Sequence, residues 1–189
     1  MAHKFKDRHV VAVDLAGDEK LHPSSYYRKV FALAKKYKLN ITIHAGEATG
    51  SDEIMMALDN GAMRIGHGVH LSLDEKTIKR IKIENICFEF CPTSNLQTKS
   101  LRSYLDVPLR DFMKNDIPVT INADNMTVSQ VNAISEMKMM VKTFNLSKEE
   151  VHALFTNSIN YSFTGLETKQ KLKEKLALRI DEFYEQLLR

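Results

Sequence analysis

The stretch Ile41-Thr-Ile-His-Ala-Gly-Glu47 decides the fold of this sequence: a short β-branched run is followed at once by a histidine, a glycine and a glutamate. Runs of this kind, bounded by glycine and polar residues, are typical of strands. Four more segments have the same character, at residues 10–14, 63–66, 86–90 and 119–122. The sequence therefore predicts five short strands, of which 41–44 is the second.

Helical patterns fill the segments between these strands. The clearest covers residues 24–38, where Tyr27, Val30, Phe31 and Ala34 recur at three-to-four-residue spacing above a basic face. Parallel strands need crossovers of this length, whereas hairpins need only short turns. The alternation thus predicts an α/β fold with about five parallel strands.

The chain after residue 122 is predicted to be all helical. Helices are expected over 129–144, over 147–157 and from 166 to the carboxyl terminus. Ser147 and Glu150 have the spacing of a capping box, which marks the start of the second of these helices. No linker or repeat interrupts the chain, so residues 1–189 are expected to form a single domain.

Composition indicates an ordinary globular protein. The 189 residues have a formal net charge of +3, 43% hydrophobic residues, 7 Gly and 4 Pro, which excludes disordered and collagen-like classes. No apolar run approaches the ~20 residues that span a bilayer, so a cytoplasmic protein without membrane contact is expected. Basic residues alternate with acidic ones, which argues against nucleic-acid binding. The length falls short of a complete (β/α)8 barrel, which takes ~250 residues.

Two cysteines, Cys87 and Cys91, are four residues apart. This spacing matches no standard zinc or redox motif, so buried, reduced thiols are expected.

Polar residues stand at the carboxyl end of every predicted strand, the edge at which α/β proteins bind ligands. His44 and Asp124 are nitrogen and oxygen donors suited to Zn²⁺. Glu47 could give a proton to a substrate or take one from it, and His67 could orient or deprotonate an attacking water. These residue types point to metal-assisted hydrolysis.

The chain offers fewer zinc donors than a catalytic site normally uses. Such a site has three or more protein ligands, and no His-x-His pair occurs in the sequence. His70 lies past the end of a strand and His152 lies inside a predicted helix, so neither is expected to be a ligand.

Taken together, the motifs resemble the adenosine deaminase family. Six blocks match in order: Val13-Asp-Leu-Ala-Gly-Asp-Glu19, Ile43-His-Ala-Gly-Glu47, Arg64-Ile-Gly-His-Gly68, Cys91-Pro-Thr-Ser-Asn95, Val119-Thr-Ile-Asn-Ala-Asp-Asn125 and Asn157-Ser-Ile-Asn-Tyr-Ser-Phe163. The resemblance implies part of a (β/α)8 TIM barrel, namely strands four to eight and the carboxyl-terminal helices. The strand that carries the family's His-x-His pair would precede these blocks.

The resemblance also implies roles for individual residues. His44 and Asp124 would bind one zinc ion per complete site, Glu47 would protonate the purine ring, and His67 would position the attacking water. The backbone N–H of Gly17 would contact the purine, with Asp14 supporting that loop. The family commonly has a second aspartate at the position of Asn125, which as a neutral amide can still hydrogen-bond a ring nitrogen.

The function that the resemblance implies is zinc-dependent hydrolytic deamination of adenosine or deoxyadenosine to inosine or deoxyinosine, a step of purine metabolism. The isolated chain is expected to be inactive, because the His-x-His strand is missing. Self-association, a complementary amino-terminal polypeptide or rearranged helices would cover the open sheet edges. Two alternatives stay open: deamination of a related purine such as adenine or AMP, and a non-catalytic module that retains the motifs.

Overall fold

The computed structural model describes residues 1–188, apart from the side chain of Asp7. Within this range five strands form one sheet, in the order in which they follow along the chain. They are β1 (Ala12–Leu15), β2 (Asn40–Ala45), β3 (Arg64–His67), β4 (Cys87–Phe90) and β5 (Val119–Ile121). All five predicted strands are confirmed to within two residues, and the register of β1–β2 and β2–β3 is parallel.

The α-helices follow the strands as predicted. They are α1 (Arg28–Lys36), α2 (Ser51–Asp59), α3 (Glu75–Glu84), α4 (Pro92–Gln97), α5 (Leu109–Lys114), α6 (Met126–Ser129), α7 (Ala133–Phe144), α8 (Lys148–Tyr161) and α9 (Leu166–Leu188). Short 3₁₀-helices occur at Ala2–Arg8, Ser24–Tyr27 and Tyr104–Asp106. None of the helices described over residues 1–188 is long and apolar enough to cross a membrane.

Two predicted helices begin differently in the structure, and the one expected over 147–157 continues to Tyr161. The helix expected over 24–38 starts as a 3₁₀-turn, and Val30, expected in its apolar stripe, is exposed while Phe31 and Ala34 are buried. The helix expected over 129–144 is interrupted, because Gln130 has a left-handed backbone and Asn132 caps a new helix. The capping box of Ser147 and Glu150 is present as predicted.

The chain divides into two compact units, residues 1–88 and the part that begins at Glu89. The core of the first unit is centred on β2, whose residues Ile41, Thr42 and Ile43 are all buried. Continuous burial of this kind is typical of a parallel strand that is covered on both faces. The helices α1 and α2 of the same unit pack against this strand.

The second unit has its own core. Phe90 and Phe112 meet edge to face with their ring centroids 5.0 Å apart, and Met137, Met140 and Leu154 are buried as well. Helix α8 packs against β5 and α9. Cys87 in the first unit and Cys91 in the second are both buried, as predicted.

Asp74 caps α3, and its hydrogen bonds make the stability of the first unit depend on pH. The backbone N–H of Thr77 donates to its carboxylate at 2.9 Å, and the Thr77 and Ser72 hydroxyls donate as well. These hydrogen bonds, led by the Thr77 N–H, lower the pKa of Asp74 below 3.8. Because the folded pKa is the lower one, its stabilising effect is present above 3.8 and is lost as the pH falls through the folded pKa.

We therefore expect Asp74→Asn to flatten the acid limb of a plot of unfolding free energy against pH. Asp52→Asn is the matched control, since Asp52 is an exposed carboxyl in the first turn of α2. Chemical denaturation at a series of pH values measures both variants. Equal slopes below pH 3.8 in Asp74→Asn and the unsubstituted chain would contradict the prediction.

Candidate active site

The carboxyl ends of β1, β2 and β3 bring four predicted site residues together in the first unit. His67 Nε2 lies 3.5 Å from Glu47 Oε2, and His44 Nε2 lies 4.0 Å from Asp14 Oδ2. The two imidazole rings meet edge to face, with their centroids 4.9 Å apart. The predicted convergence of these residues is therefore present, because neighbouring parallel strands end at the same edge of the sheet.

Glycine makes this close arrangement possible. Gly66 pairs with His44 across the sheet, and a Cβ at Gly66 would lie 2.6 Å from Cδ2 of the imidazole. The chain then enters a left-handed turn, with φ of 62° at His67 and 67° at Gly68. A positive φ at a residue other than glycine costs about 1–3 kcal/mol, and such strain clusters at functional sites. His67 is thus held in a strained conformation beside Glu47 and His44, and seven other non-glycine residues among those described also have a positive φ.

The two side chains of the His67–Glu47 pair differ in their exposure to solvent. The His67 side chain is 1% exposed, while the Glu47 side chain is 17% exposed. A carboxyl group that reaches the surface of the site can exchange a proton with a ligand, and the imidazole behind it can accept or supply a proton at its own ring nitrogen. The pair therefore has the geometry of an acid–base couple.

The loop after β1 is tied to the loop after β2 by Glu19. Its Oε1 accepts hydrogen bonds from the backbone N–H groups of Ala48 and Thr49, the latter at 2.6 Å. Gly17, the predicted purine contact, lies in the same loop with φ of 135° and lines a small pocket together with His44. Glu19 thus fixes the loop that presents Gly17.

The other two predicted site residues lie in the second unit. Asp124 Oδ2 accepts a hydrogen bond of 2.7 Å from the Ser94 hydroxyl. Asn125 caps α6, since its side-chain oxygen accepts from the Val128 N–H at 2.9 Å. The amide nitrogen of Asn125 is therefore the atom that it can offer to a ligand.

Three residues that contact predicted site residues or the loops beside them, each within its own unit, were not predicted to have a role. Glu19 and Ser94 stand inside the quoted blocks, but their partners are about thirty residues away along the chain. Glu136 of α7 is 1% exposed and accepts the Thr93 N–H at 3.1 Å, next to Ser94. Its only sequence signal is a glutamate within an otherwise apolar helix face.

The donor set of this chain does not complete a zinc site. Among residues 1–188, no group of three or more His, Cys, Asp or Glu side chains is placed to hold a metal ion. His44 has Asp14 as its near carboxylate, while a catalytic zinc takes three protein ligands or more. The zinc predicted from the resemblance therefore requires donors beyond those this chain supplies.

Comparisons with a family model and with curated proteins indicate the same family. The sequence model of the family described as adenosine deaminase matches residues 1–179. An adenosine deaminase of Clostridium botulinum is 44% identical over 172 residues, which are 90% of this chain and 52% of that protein. The chain thus spans about half the length of the curated relatives it matches.

Solved structures support the same fold. The Arabidopsis N6-mAMP deaminase MAPDA is 30% identical, with a TM-score of 0.82 over 96% of this chain and 52% of that one. The adenine deaminase of Arthrobacter aurescens is 24% identical, with a TM-score of 0.85 over 95% of this chain and 57% of that one. At this low identity the match supports the fold but not a function. The predicted fold class, part of a (β/α)8 barrel followed by helices, is confirmed.

Proposed function

The chain belongs to the adenosine deaminase family, and on this premise we propose that it supplies the acid–base part of a site for hydrolytic deamination of adenosine or deoxyadenosine. The observation that carries the proposal is the His67–Glu47 pair beside His44 at the ends of β2 and β3. The reaction replaces the 6-amino group with oxygen from water and releases ammonia. A cytoplasmic location and a part in purine metabolism belong to the same proposal.

Each of the site residues in the first unit has a defined task in the proposed reaction. Glu47 gives a proton to the purine ring nitrogen beside the attacked carbon, which draws electrons from that carbon. His67 holds the attacking water and takes its proton at Nε2, with Glu47 as its neighbour at 3.5 Å. Gly17 donates its backbone N–H to the purine, and Asp14 supports the loop that carries Gly17. Positioning and proton transfer together account for large rate factors.

The remaining metal ligands would come from a second polypeptide that carries the family's His-x-His strand. This partner would also cover the outer edge of β1, whose backbone groups are otherwise open to pairing. His44 and Asp124 are the donors that this chain would bring to the shared zinc site. A self-associated form of the chain is the competing arrangement, and it would bring no His-x-His pair.

We expect the chain alone to show no measurable loss of adenosine absorbance, because its zinc site is incomplete. Mixing it with a polypeptide that holds predicted strands one to three should produce a 1:1 complex, bound zinc and turnover. Size-exclusion chromatography, elemental analysis and the absorbance assay measure the three properties. Turnover by the chain alone, lost in Glu47→Ala, would contradict the expected inactivity. A zinc-loaded 1:1 complex without turnover would contradict the deaminase proposal and favour the non-catalytic module.

A related purine is the second candidate substrate, because Asn125 stands where the family commonly has a second aspartate. Its side-chain oxygen caps α6, so only its amide N–H group is available to a purine nitrogen. Solved relatives include a deaminase of adenine and one of N6-methyl-AMP. Comparing kcat/KM of the complex for adenosine, adenine and AMP decides between them, and adenosine is expected to give the highest value.

A further inference from the structure

One side of helix α1 carries a row of exposed apolar side chains. Val30 and Leu33 of the helix and Tyr37 at its C-cap are spaced three and four residues apart, so they lie on one side of it. Their exposed fractions are 55%, 49% and 37%. Single exposed apolar residues are ordinary, but a row of them along a helix is typical of a contact surface. This row is called the α1 flank.

Contacts on the other sides of α1 fix the direction in which the α1 flank points. Phe31 and Ala34 are buried where α1 packs against β2. Arg28 and Lys35 reach α2, where Arg28 Nη2 lies 3.1 Å from a methionine sulfur and Lys35 Nζ donates to a backbone carbonyl at 3.2 Å. Since each helical residue turns by about 100°, the α1 flank lies on the side opposite to Arg28 and Lys35. It therefore points away from α2, toward the outer edge of β1.

The sheet has an open edge on this same side. Among the strands described over residues 1–188, β1 is at the edge, and α1 crosses over from it to β2. Crossovers between parallel strands are right-handed in nearly all proteins, so successive crossovers that advance in one direction lie on the same face of the sheet. A parallel strand added outside β1 and followed by its own crossover helix would thus place that helix beside the α1 flank.

The charges beside the α1 flank indicate which kind of helix would fit there. Lys29 and Lys36 are exposed and border the flank on its solvent side, and the α1 sequence has four basic residues and no acidic one. Two copies of α1 packed together would bring like charges close to each other, which opposes self-association. An amphipathic helix with Asp or Glu beside its apolar stripe would cover the flank and pair with both lysines.

We propose that the α1 flank is the docking surface for an acidic amphipathic helix of the polypeptide that adds a strand beside β1. Pairing at a strand edge uses backbone groups that every sequence has, so it selects a partner weakly. The apolar row and its lysines add selection by shape and charge. The choice of a complementary polypeptide rests on the proposed function, but docking requires only binding and is measured without purine or zinc.

The binding partner for the test is the remaining part of the Clostridium botulinum adenosine deaminase, of which this chain matches 52%. Isothermal titration calorimetry with the full chain should give a 1:1 complex. Leu33→Ser removes the apolar side chain from the middle of the α1 flank and should raise Kd by about 10–100-fold, the contribution of one buried leucine. Ile83→Ser is the matched control, because Ile83 is exposed on α3 of the same unit, and should change Kd by less than about threefold.

Reversing the two bordering lysines tests the charge of the partner. Lys29→Glu/Lys36→Glu should slow association and weaken its dependence on salt, because opposite charges across an interface mainly steer the encounter. Lys76→Glu/Lys79→Glu makes the same change in net charge on exposed residues of α3 and is the control. Surface plasmon resonance at several salt concentrations measures the association rates. Equal effects of the two pairs would contradict an acidic partner helix at the α1 flank.

The substituted side chains are exposed, so the variants should keep the Tm of the unsubstituted chain. No complex with the unsubstituted chain, or an unchanged Kd in Leu33→Ser, would overturn the docking surface. Dimerisation of the chain alone that Leu33→Ser abolishes would overturn it in favour of a second copy. A complex that needs Leu33 but has no turnover would refute the deaminase proposal only, and an active complex indifferent to Leu33→Ser would refute the docking surface only.

Discussion

Glu47→Gln is expected to lower kcat for adenosine by about 10²–10⁴-fold in the complemented enzyme, the range assigned to one positioned acid–base group. Glutamine has nearly the same shape as glutamate, but it cannot transfer a proton. The loss should appear in kcat more than in KM, because the proton reaches the purine only as the water attacks. A stopped or continuous absorbance assay on the complex measures both constants.

Glu75→Gln is the matched control for this variant. Glu75 is an exposed carboxylate in the first turn of α3, in the same unit. It should leave kcat within a factor of two, and both variants should form the complex and retain zinc. If Glu47→Gln kept the kcat of the unsubstituted complex, Glu47 would not be the proton donor, and the His67–Glu47 pair would have only a structural role.

The positions of the main site residues could be predicted because they depend on local sequence. A β-branched run followed by His-Ala-Gly-Glu places His44 at the end of a strand whatever its neighbours are, and parallel pairing then brings His67 alongside. The start of β1 was less predictable. Val10 and Val11 have strand character, yet the strand begins at Ala12 and Val11 is exposed.

The residues that hold the site could not be predicted, because their partners are distant in sequence. Glu19 binds Thr49, and Glu136 binds Thr93 over an even longer separation. A lone glutamate in a helix is normally a solvated residue, so the burial of Glu136 becomes visible only when the fold is known. The left-handed turn at His67 could not be predicted either, since only a few per cent of residues other than glycine adopt a positive φ.

Gly68→Ala should cause a large loss of stability in the first unit. Gly68 has φ of 67°, and a Cβ there would overlap the ring of Phe88, which is fully buried. A left-handed alanine costs about 1–2 kcal/mol, and overpacking a core adds about 1–3 kcal/mol. We therefore expect the free energy of unfolding to fall by about 3 kcal/mol in urea denaturation monitored by circular dichroism.

Gly50→Ala supplies the control for this loss, because Gly50 has a negative φ of −108° and no atom within 4 Å of a Cβ built there. It should cost less than about 1 kcal/mol, the effect of replacing a glycine at a helix N-cap. The double variant Gly68→Ala/Phe88→Leu separates the two causes. Removing the ring relieves the overlap but not the strained φ, so the two changes should be non-additive, with the double variant less destabilised than the sum of the single ones. Strict additivity would show that the ring of Phe88 is not what excludes a side chain at Gly68.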